Sequence, residues 1–272
     1  DYKTGYSLYI GIPFCPTTCL YCSFTSYPYE KFGHLAEKYL DALEREIKYL
    51  ANIYKNKNVT SIYVGGGTPT TLSAQQLTMI FERLKKNFDF SKIKEFTLEA
   101  GRPDTITEEK LIAAKNGGVN RISINPQTMN EETLKRVGRT HTPQMVKKSF
   151  DMARKAGFDN INMDLIAGLP GENVEMFKKS LDEVIELDPE NITVHSMCIK
   201  RAADLKRNID RLTDSEMMNE MLSYTQKRMK ETKREPYYMY RQKNSSGNLE
   251  NVGYAKEGCM STYNVNIMEE KQ

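Results

Sequence analysis

Three cysteines are the residues of this chain best suited to chemistry. Cys15, Cys19 and Cys22 lie in the segment Cys-Pro-Thr-Thr-Cys-Leu-Tyr-Cys, and the chain holds five cysteines, an odd number that suits a disulfide framework poorly. Iron–sulfur clusters usually take four thiolates, so a loop that supplies three leaves one iron open to a cofactor. A structural zinc site is the alternative, but it takes four ligands, typically in two separated pairs. Cys198 and Cys259 stand alone, so the spacing favours an iron–sulfur cluster.

The elements that would position this loop alternate between strands and helices. Strands are predicted at residues 8–12, 61–64, 95–99, 119–124, 160–165 and 191–196. Helical segments separate them, with a capping box at Ser73 and Gln76 and a glycine stop at Gly117 and Gly118. Parallel neighbours need crossover connections, so six strand–helix units predict a parallel sheet with helices outside.

We therefore expect an α/β fold, a partial (β/α)6 TIM-like barrel over residues 1–200. A short C-terminal α+β extension over residues 201–272 would contain a helix at 215–230 and a strand at 263–268. The chain begins and ends close to predicted strands, which suggests a fragment of a longer protein.

Polar and small residues follow the predicted strands, where barrels of this kind bind ligands. The three glycines Gly65, Gly66 and Gly67 precede Thr68-Pro69 without the Lys-Ser/Thr of a phosphate loop. They form either a tight turn or a bare backbone that a ligand can approach. The other candidates could equally be solvated rim residues or packed aromatic rings: Glu99, Gln127, Arg139, Asp164, Tyr9 and Tyr21.

The motif Cys-x-x-x-Cys-x-Tyr-Cys resembles the signature of the radical S-adenosylmethionine (radical SAM) superfamily. Further stretches resemble its oxygen-independent coproporphyrinogen III oxidase family, in the family's order, at residues 9–15, 63–70, 118–124, 137–141 and 164–171. Segments 194–202 and 240–243 are similar to the coproporphyrinogen dehydrogenase branch. Two departures are Gly11, where many members have histidine, and Asn125-Pro126, where they have Gly-Val.

This resemblance implies a 4Fe-4S cluster on Cys15, Cys19 and Cys22, which cleaves S-adenosylmethionine into a radical. It implies contacts to one S-adenosylmethionine from Tyr9, Tyr21, Gly66 and Glu99. A second S-adenosylmethionine would lie near Gly67, Thr68, Gln127 and Asp164, with Arg139 between the last two and able to bind a carboxylate. Cys198 falls where the family's backbone touches a cofactor, although a lone thiol is more often a small buried side chain.

The implied reaction is oxidative decarboxylation of the propionates of coproporphyrinogen III, or a related tetrapyrrole, to vinyl groups, with an electron donor and an acceptor that the sequence does not identify. The alternative within the family is a haem chaperone without oxidase activity. The net charge of +3, from 39 basic and 36 acidic residues, indicates neither nucleic acid nor membrane as a partner. No segment is apolar enough to span a bilayer, so a cytoplasmic location is expected. An excess of basic residues over 200–243 would suit a substrate with several propionates.

Metal analysis of anaerobically purified protein separates the two readings of the cysteine triplet. We expect iron and acid-labile sulfide in comparable amounts. One tightly held zinc ion, without iron or sulfide, would contradict the cluster.

Overall fold

A computed structural model describes residues 5–22, 24, 26–197, 214–241 and 250–268 of the chain. The strands are β1 Gly5–Ile12, β2 Phe14–Cys15, β3 Tyr27–Pro28, β4 Asn58–Gly66, β5 Glu95–Glu99, β6 Arg121–Ser123, β7 Ile161–Ala167, β8 Asn191–Ser196, β9 Glu235–Arg241 and β10 Glu250–Ala255. The α-helices are α1 Tyr29–Phe32, α2 Ala36–Ile53, α3 Ala74–Asn87, α4 Glu108–Gly117, α5 Glu131–Arg136, α6 Pro143–Lys155, α7 Val174–Glu186, α8 Ser215–Glu231 and α9 Thr262–Met268.

Eight of these strands form one sheet in the order β1-β4-β5-β6-β7-β8-β10-β9. The first six pair in parallel, and the β9–β10 hairpin then continues the sheet in antiparallel fashion beside β8. The sheet curls into a half-barrel with β1 and β9 at its edges. The predicted α/β barrel of six strand–helix units is confirmed, and so is the helix at 215–230.

The two faces of the sheet differ in polarity because successive side chains of a strand point to opposite sides. Residues that face the helices are apolar and almost fully buried, and they include Ile10, Ile62, Leu98, Ile122 and Leu165. The alternate positions line the interior and are mostly polar, as at Thr97, Glu99, Ser123, Asn162 and Asp164. The interior of the half-barrel is therefore the place where polar chemistry can occur.

Local sequence signals set the ends of several helices as predicted. At the start of α3 the Ser73 hydroxyl accepts the Gln76 N–H at 3.1 Å, and the Gln76 side chain accepts the Ser73 N–H at 3.0 Å. Helix α4 ends at Gly118, whose φ of 96° is left-handed and suits glycine.

The strand predicted at 263–268 is wrong, because Thr262–Met268 is helix α9. The cause is a contact across the barrel. The Glu95 carboxylate at the start of β5 accepts the Thr262 N–H at 2.6 Å, the Tyr263 N–H at 3.2 Å and the Ser261 hydroxyl at 2.9 Å. An anionic acceptor at the first N–H groups stabilises a helix start over an extended chain.

Within the described residues, no helix combines the length and the apolarity needed to cross a membrane. The division into a core over 1–200 and an extension over 201–272 stays a prediction. The extension contributes β9 and β10 to the same sheet as the core strands.

We expect Ser73→Ala to lower the free energy of unfolding by about 1 kcal/mol, because the hydroxyl satisfies an otherwise orphaned N–H at the start of α3. Urea denaturation followed by circular dichroism measures this loss. The matched control is Gln75→Ala, an exposed position in the first turn of the same helix, which should change stability by less than about 0.5 kcal/mol. Equal effects of the two variants would contradict the role of the cap.

Candidate active site

The cysteine loop follows β1 and is fastened to its neighbours mainly by backbone hydrogen bonds. Phe14 and Cys15 pair in parallel with Tyr27 and Pro28, and the Cys22 N–H donates to the Cys19 carbonyl at 3.0 Å. On the far side, Leu20 N–H donates to the Val137 carbonyl at 3.1 Å. The loop is thus held between the end of β1 and the segment after α5.

Cys19 and Cys22 lie close enough to Cys15 to influence the ionisation of its thiol. Burial raises the pKa of the Cys15 thiol, and its neighbours Cys19 and Cys22 raise it further. The Thr68 hydroxyl, 3.5 Å from the Cys15 sulfur, acts in the opposite direction, as does Arg102. In the part of the chain that the structure describes, no three histidine, cysteine, aspartate or glutamate side chains converge as ligands of a single ion.

The glycines at the end of β4 lie directly against the cysteine loop. Gly66 has a left-handed φ of 107°, and a Cβ at Gly67 would lie 2.6 Å from the Phe14 carbonyl and 3.0 Å from the Cys15 sulfur. The N–H groups of Gly67 and Thr68 donate to the carbonyls of Ile12 and Phe14, both at 2.7 Å. Bare backbone is therefore required here to bring the turn against Cys15, and these two N–H groups are engaged within the chain.

Glu99 ends β5 and is half-buried in the interior. Burial raises the pKa of its carboxyl to about 8, and the nearby Asp164 charge adds to the increase. A hydrogen bond from the Gly66 N–H and the charge of Arg139 offset part of the effect. The carboxylate form is thus poorly compensated by the protein and would gain from a cationic ligand.

Gln127 occupies a strained position on the neighbouring strand end. Its φ is 67°, which non-glycine residues rarely adopt, and its backbone is fixed by the bond from its N–H to the Asp164 carbonyl at 2.9 Å. Its buried Oε1 has no hydrogen-bond partner among the residues that the structure describes. An orphaned acceptor held by a strained backbone is typical of a side chain that meets a ligand.

Asp164 is surrounded by groups that favour its charged form. Burial alone would raise its pKa, but His195 and the hydrogen bonds from Asn162 and Thr193 hold the pKa below its usual value. The Asn162 amide donates to Oδ1 at 2.7 Å, and His195 Nε2 lies 3.6 Å from Oδ2. Asp164 is therefore an anion that already has partners inside the barrel.

Arg139 connects the site to the cysteine loop. Its Nε donates to the Tyr21 hydroxyl at 2.9 Å, and its Nη1 donates to the carbonyls of Gly101 and Asn125 at 3.1 and 3.0 Å. Burial opposes the charged form of the guanidinium, but electrostatic interactions and hydrogen bonds with Tyr21 and Cys19 raise its pKa above the usual value. The residue thus fastens Tyr21 to two strand ends, a structural task that the sequence did not reveal.

Tyr9 lies near Glu99 in a group of three tyrosines, and burial together with the Glu99 charge raises the pKa of its hydroxyl. It is 49% exposed, and its ring stacks on Tyr63 and Tyr263 with centroids 6.0 and 6.3 Å apart. The remaining candidate, Cys198, lies outside the described residues, as does part of the basic segment 200–243.

Sequence reasoning missed two buried residues of this region. Arg102 is 2% exposed and contacts the Cys19 sulfur, and His141 Nε2 lies 3.2 Å from the Pro126 carbonyl oxygen, to which it can donate. Burial and the Arg139 charge lower the pKa of His141 to about 4, so the imidazole is neutral at pH 7. Arg102 stands two residues before Asp104, and that pairing was the one local signal available.

Comparison with known proteins places these features in a family. The family model described as Radical SAM superfamily matches residues 9–184, well over half of the chain. The chain belongs to the radical SAM superfamily. A 4Fe-4S cluster and S-adenosylmethionine are the cofactors of this superfamily, and they are therefore the cofactors of this chain.

Relatives narrow the likeness to one group within the superfamily. The oxygen-independent coproporphyrinogen-III oxidase-like protein HemZ of Bacillus subtilis is 46% identical, over 99% of this chain and 55% of its own length. The heme chaperone HemW of the same organism is 37% identical, over 71% of this chain and 51% of its own length. The chain thus spans about half the length of these curated relatives.

A solved structure resembles the whole described fold. Coproporphyrinogen III oxidase (HemN) from Escherichia coli, a radical SAM enzyme, superimposes with a TM-score of 0.81 at 27% identity, over 98% of this chain and 58% of its own. The family is established by these matches. Because both oxidase and haem-chaperone names occur among the relatives, the activity within the family is a matter for proposal.

The residues around the cysteine loop fit these cofactors. One short loop carries the three thiols, and a glycine backbone approaches Cys15 closely. Two groups of the same region lack adequate partners among the described residues, the Glu99 carboxylate and the side-chain carbonyl oxygen of Gln127. S-adenosylmethionine carries an ammonium and a sulfonium cation as well as hydroxyl donors. Its polar groups are complementary to both.

The raised pKa of Glu99 predicts a stability that depends on pH. The unfolded carboxyl titrates near its ordinary value of 4.5 and the folded one near 8, so the folded state holds the extra proton between these values. Stability therefore falls as pH rises through this window. For cofactor-free protein, we expect the midpoint of urea denaturation to fall less steeply with rising pH in Glu99→Gln than in wild type. Glu82→Gln, at an exposed glutamate of α3, serves as the control, and a decline as steep in Glu99→Gln as in wild type would refute the assignment.

Proposed function

We propose that this chain is the radical-generating core of an oxygen-independent coproporphyrinogen III oxidase. The observation that carries the proposal is the convergence of the three-cysteine loop, the bare glycine turn and the Glu99 carboxylate at the C-terminal ends of adjacent parallel strands. This is the end of a parallel barrel where ligands bind. The likeness to HemN and HemZ supports the substrate class.

In this proposal Cys15, Cys19 and Cys22 hold the cluster and leave one iron for S-adenosylmethionine. The Glu99 carboxylate accepts hydrogen bonds from the cofactor's ammonium group. A carboxylate whose pKa is raised by burial is stabilised strongly by a nearby cation. Gly67 lets the turn approach Cys15 without a side chain, and Gly66 lets it approach Ile12 in the same way. Tyr9 and Tyr21 contact the first cofactor. A contact from Cys198 is implied by the family resemblance alone.

A second S-adenosylmethionine is assigned to Gly67, Thr68, Gln127, Asp164 and Arg139. The unpartnered Oε1 of Gln127 supports this assignment, since it can accept a hydrogen bond from a bound ligand. Asp164 offers a buried negative charge, and Arg139 offers a positive one about which a ligand carboxylate can orient.

Held by Cys15, Cys19 and Cys22, a reduced cluster would supply the one electron needed for reductive cleavage of S-adenosylmethionine to methionine and a 5′-deoxyadenosyl radical. The chain's contribution is to position the reacting groups and to exclude water, which the buried strand ends around Gln127 and Arg139 favour. The proposed substrate is coproporphyrinogen III: a propionate loses a hydrogen atom from its β-carbon, then carbon dioxide and one electron, and becomes a vinyl group. A one-electron acceptor must take that last electron.

Haem trafficking is the second candidate, supported by the likeness to HemW. His195 would be the natural haem ligand among the described residues. Its Nε2 lies 3.6 Å from Asp164, so iron binding at this nitrogen would have to displace the contact.

The proposal predicts 5′-deoxyadenosine from protein that has been reconstituted anaerobically with iron and sulfide and reduced with dithionite. Cys19→Ala should reduce the product to the background level, because one cluster ligand is lost. The matched control is Cys259→Ala, a cysteine outside the triplet whose carbonyl accepts from Arg121, and it should retain the wild-type yield.

The same assay distinguishes the oxidase proposal from the haem-chaperone proposal. Coproporphyrinogen III should raise the yield of deoxyadenosine and release carbon dioxide if the oxidase proposal is right. Haem binding without any deoxyadenosine would favour the chaperone. Equal deoxyadenosine from Cys19→Ala and wild type would overturn the cluster assignment itself.

A further inference from the structure

Arg102 is a buried cation in contact with the cysteine loop. It follows β5, is 2% exposed, and its Nη1 lies 3.6 Å from the Cys19 sulfur and 3.1 Å from the Thr17 hydroxyl. Thr17 in turn donates to the Gly138 carbonyl at 3.3 Å. One guanidinium thus reaches the middle thiol of the triplet and the residue that anchors the loop to the segment after α5.

The other edge of this guanidinium is held by a carboxylate. Arg102 Nε and Nη2 donate to the two oxygens of Asp104 at 3.1 and 3.0 Å, a bidentate pair. Thr140 donates to Asp104 Oδ2 at 2.6 Å. Although burial raises the pKa of Asp104, Arg102 and Thr140 together hold it below its ordinary value, so the pair is ionised at neutral pH.

Cys19 is closer to the positive member of this pair than to the negative one. The guanidinium touches the sulfur, whereas the carboxylate lies on the guanidinium's opposite side. A cation close to a thiolate ligand, and an N–H directed at its sulfur, both favour the more negative, reduced state of a cluster. The effect is strong because the group is almost completely removed from water.

We propose that Arg102 is a positioning residue that fixes the cysteine loop and raises the reduction potential of the cluster, and that Asp104 limits the increase. This inference rests on the proposed attachment of the cluster to Cys15, Cys19 and Cys22. Its functional meaning concerns the electron donor. A cluster with a less negative reduction potential can be reduced by a one-electron carrier whose own potential is less negative. The Arg102–Asp104 pair therefore sets which class of electron donor can drive the reaction.

The test is a redox titration of reconstituted protein, in which electron paramagnetic resonance follows the reduced cluster. We expect Arg102→Gln to shift the midpoint potential to a more negative value and Asp104→Asn to shift it to a more positive one. Arg102→Lys retains the charge and should stay nearer to wild type than Arg102→Gln. The double variant Arg102→Gln/Asp104→Asn should fall between the two single variants.

The control is Arg234→Gln, which removes another buried arginine paired with an aspartate, Asp188 at 2.9 Å, in the segments that precede β9 and β8. Its midpoint potential should equal that of wild type. If the substitutions merely loosened the cysteine loop, the iron content would fall but the midpoint potentials would not shift in opposite directions. A shift in the same direction in Arg102→Gln and Asp104→Asn would therefore overturn the inference. If Arg102→Gln retains too little cluster to titrate, a positive shift in Asp104→Asn supports the inference and an unchanged potential overturns it.

The two proposals fail differently. Wild-type protein that binds no iron and sulfide after reconstitution would overturn the cluster assignment and this inference with it. A wild-type cluster whose potential is the same in all Arg102 and Asp104 variants would overturn this inference alone.

Discussion

The two-sided character of the parallel sheet is the constraint on which the rest of the structure depends. Apolar side chains on the outer face bind the helices, and the alternate positions must then face inward whatever their chemistry. Inward polar groups are costly unless they bond to one another. They do so across strands: Asn162 donates to Ser123 at 2.8 Å, Ser123 donates to Asn125 at 2.7 Å, and Thr193 donates to Asn162 at 3.1 Å.

The strand register determines which of these groups meet. Ser123 lies opposite Asn162, and Asp164 lies opposite Thr193. A slip of one residue would turn Asp164 into the helix layer and bring Leu165 into the interior, so the apolar face fixes the polar network without any direct contact to it. The side chains that we assign to the cofactors belong to this same inward set, and their positions follow from packing on the opposite face.

The two ends of the interior are used differently. Near the N-terminal ends of the strands, Glu95 binds the start of α9 and Arg121 donates to the Cys259 carbonyl at 3.0 Å. The Tyr263 ring then stacks on Tyr63 at 4.7 Å, which fills the interior beside β4. Toward the C-terminal ends of the strands, glycines, Gln127 and Glu99 line the described interior instead, and this is the end to which we assign the ligands.

Local patterns were sufficient to predict most of the fold, because strand alternation, the Ser73 cap and the Gly118 stop act within a few residues. They failed where a distant group decides the structure. The segment Tyr-Asn-Val-Asn-Ile has the alternation of a strand, but the Glu95 carboxylate, 167 positions from Thr262 in the chain, provides a cap that converts it into a helix. The role of Arg102 was equally invisible, because its contact with Cys19 spans 83 positions.

The cysteine loop itself illustrates why a motif alone could not define the site. It contains only a two-residue strand, so little of its shape comes from its own secondary structure. Its position depends on Val137, Gly138 and Arg139, on the turn at Gly67 and on Arg102, which belong to three different parts of the chain. A zinc module of similar length commonly folds around its metal. Here the loop also makes contacts with the completed barrel, through Val137, Gly138, the turn at Gly67 and the two arginines.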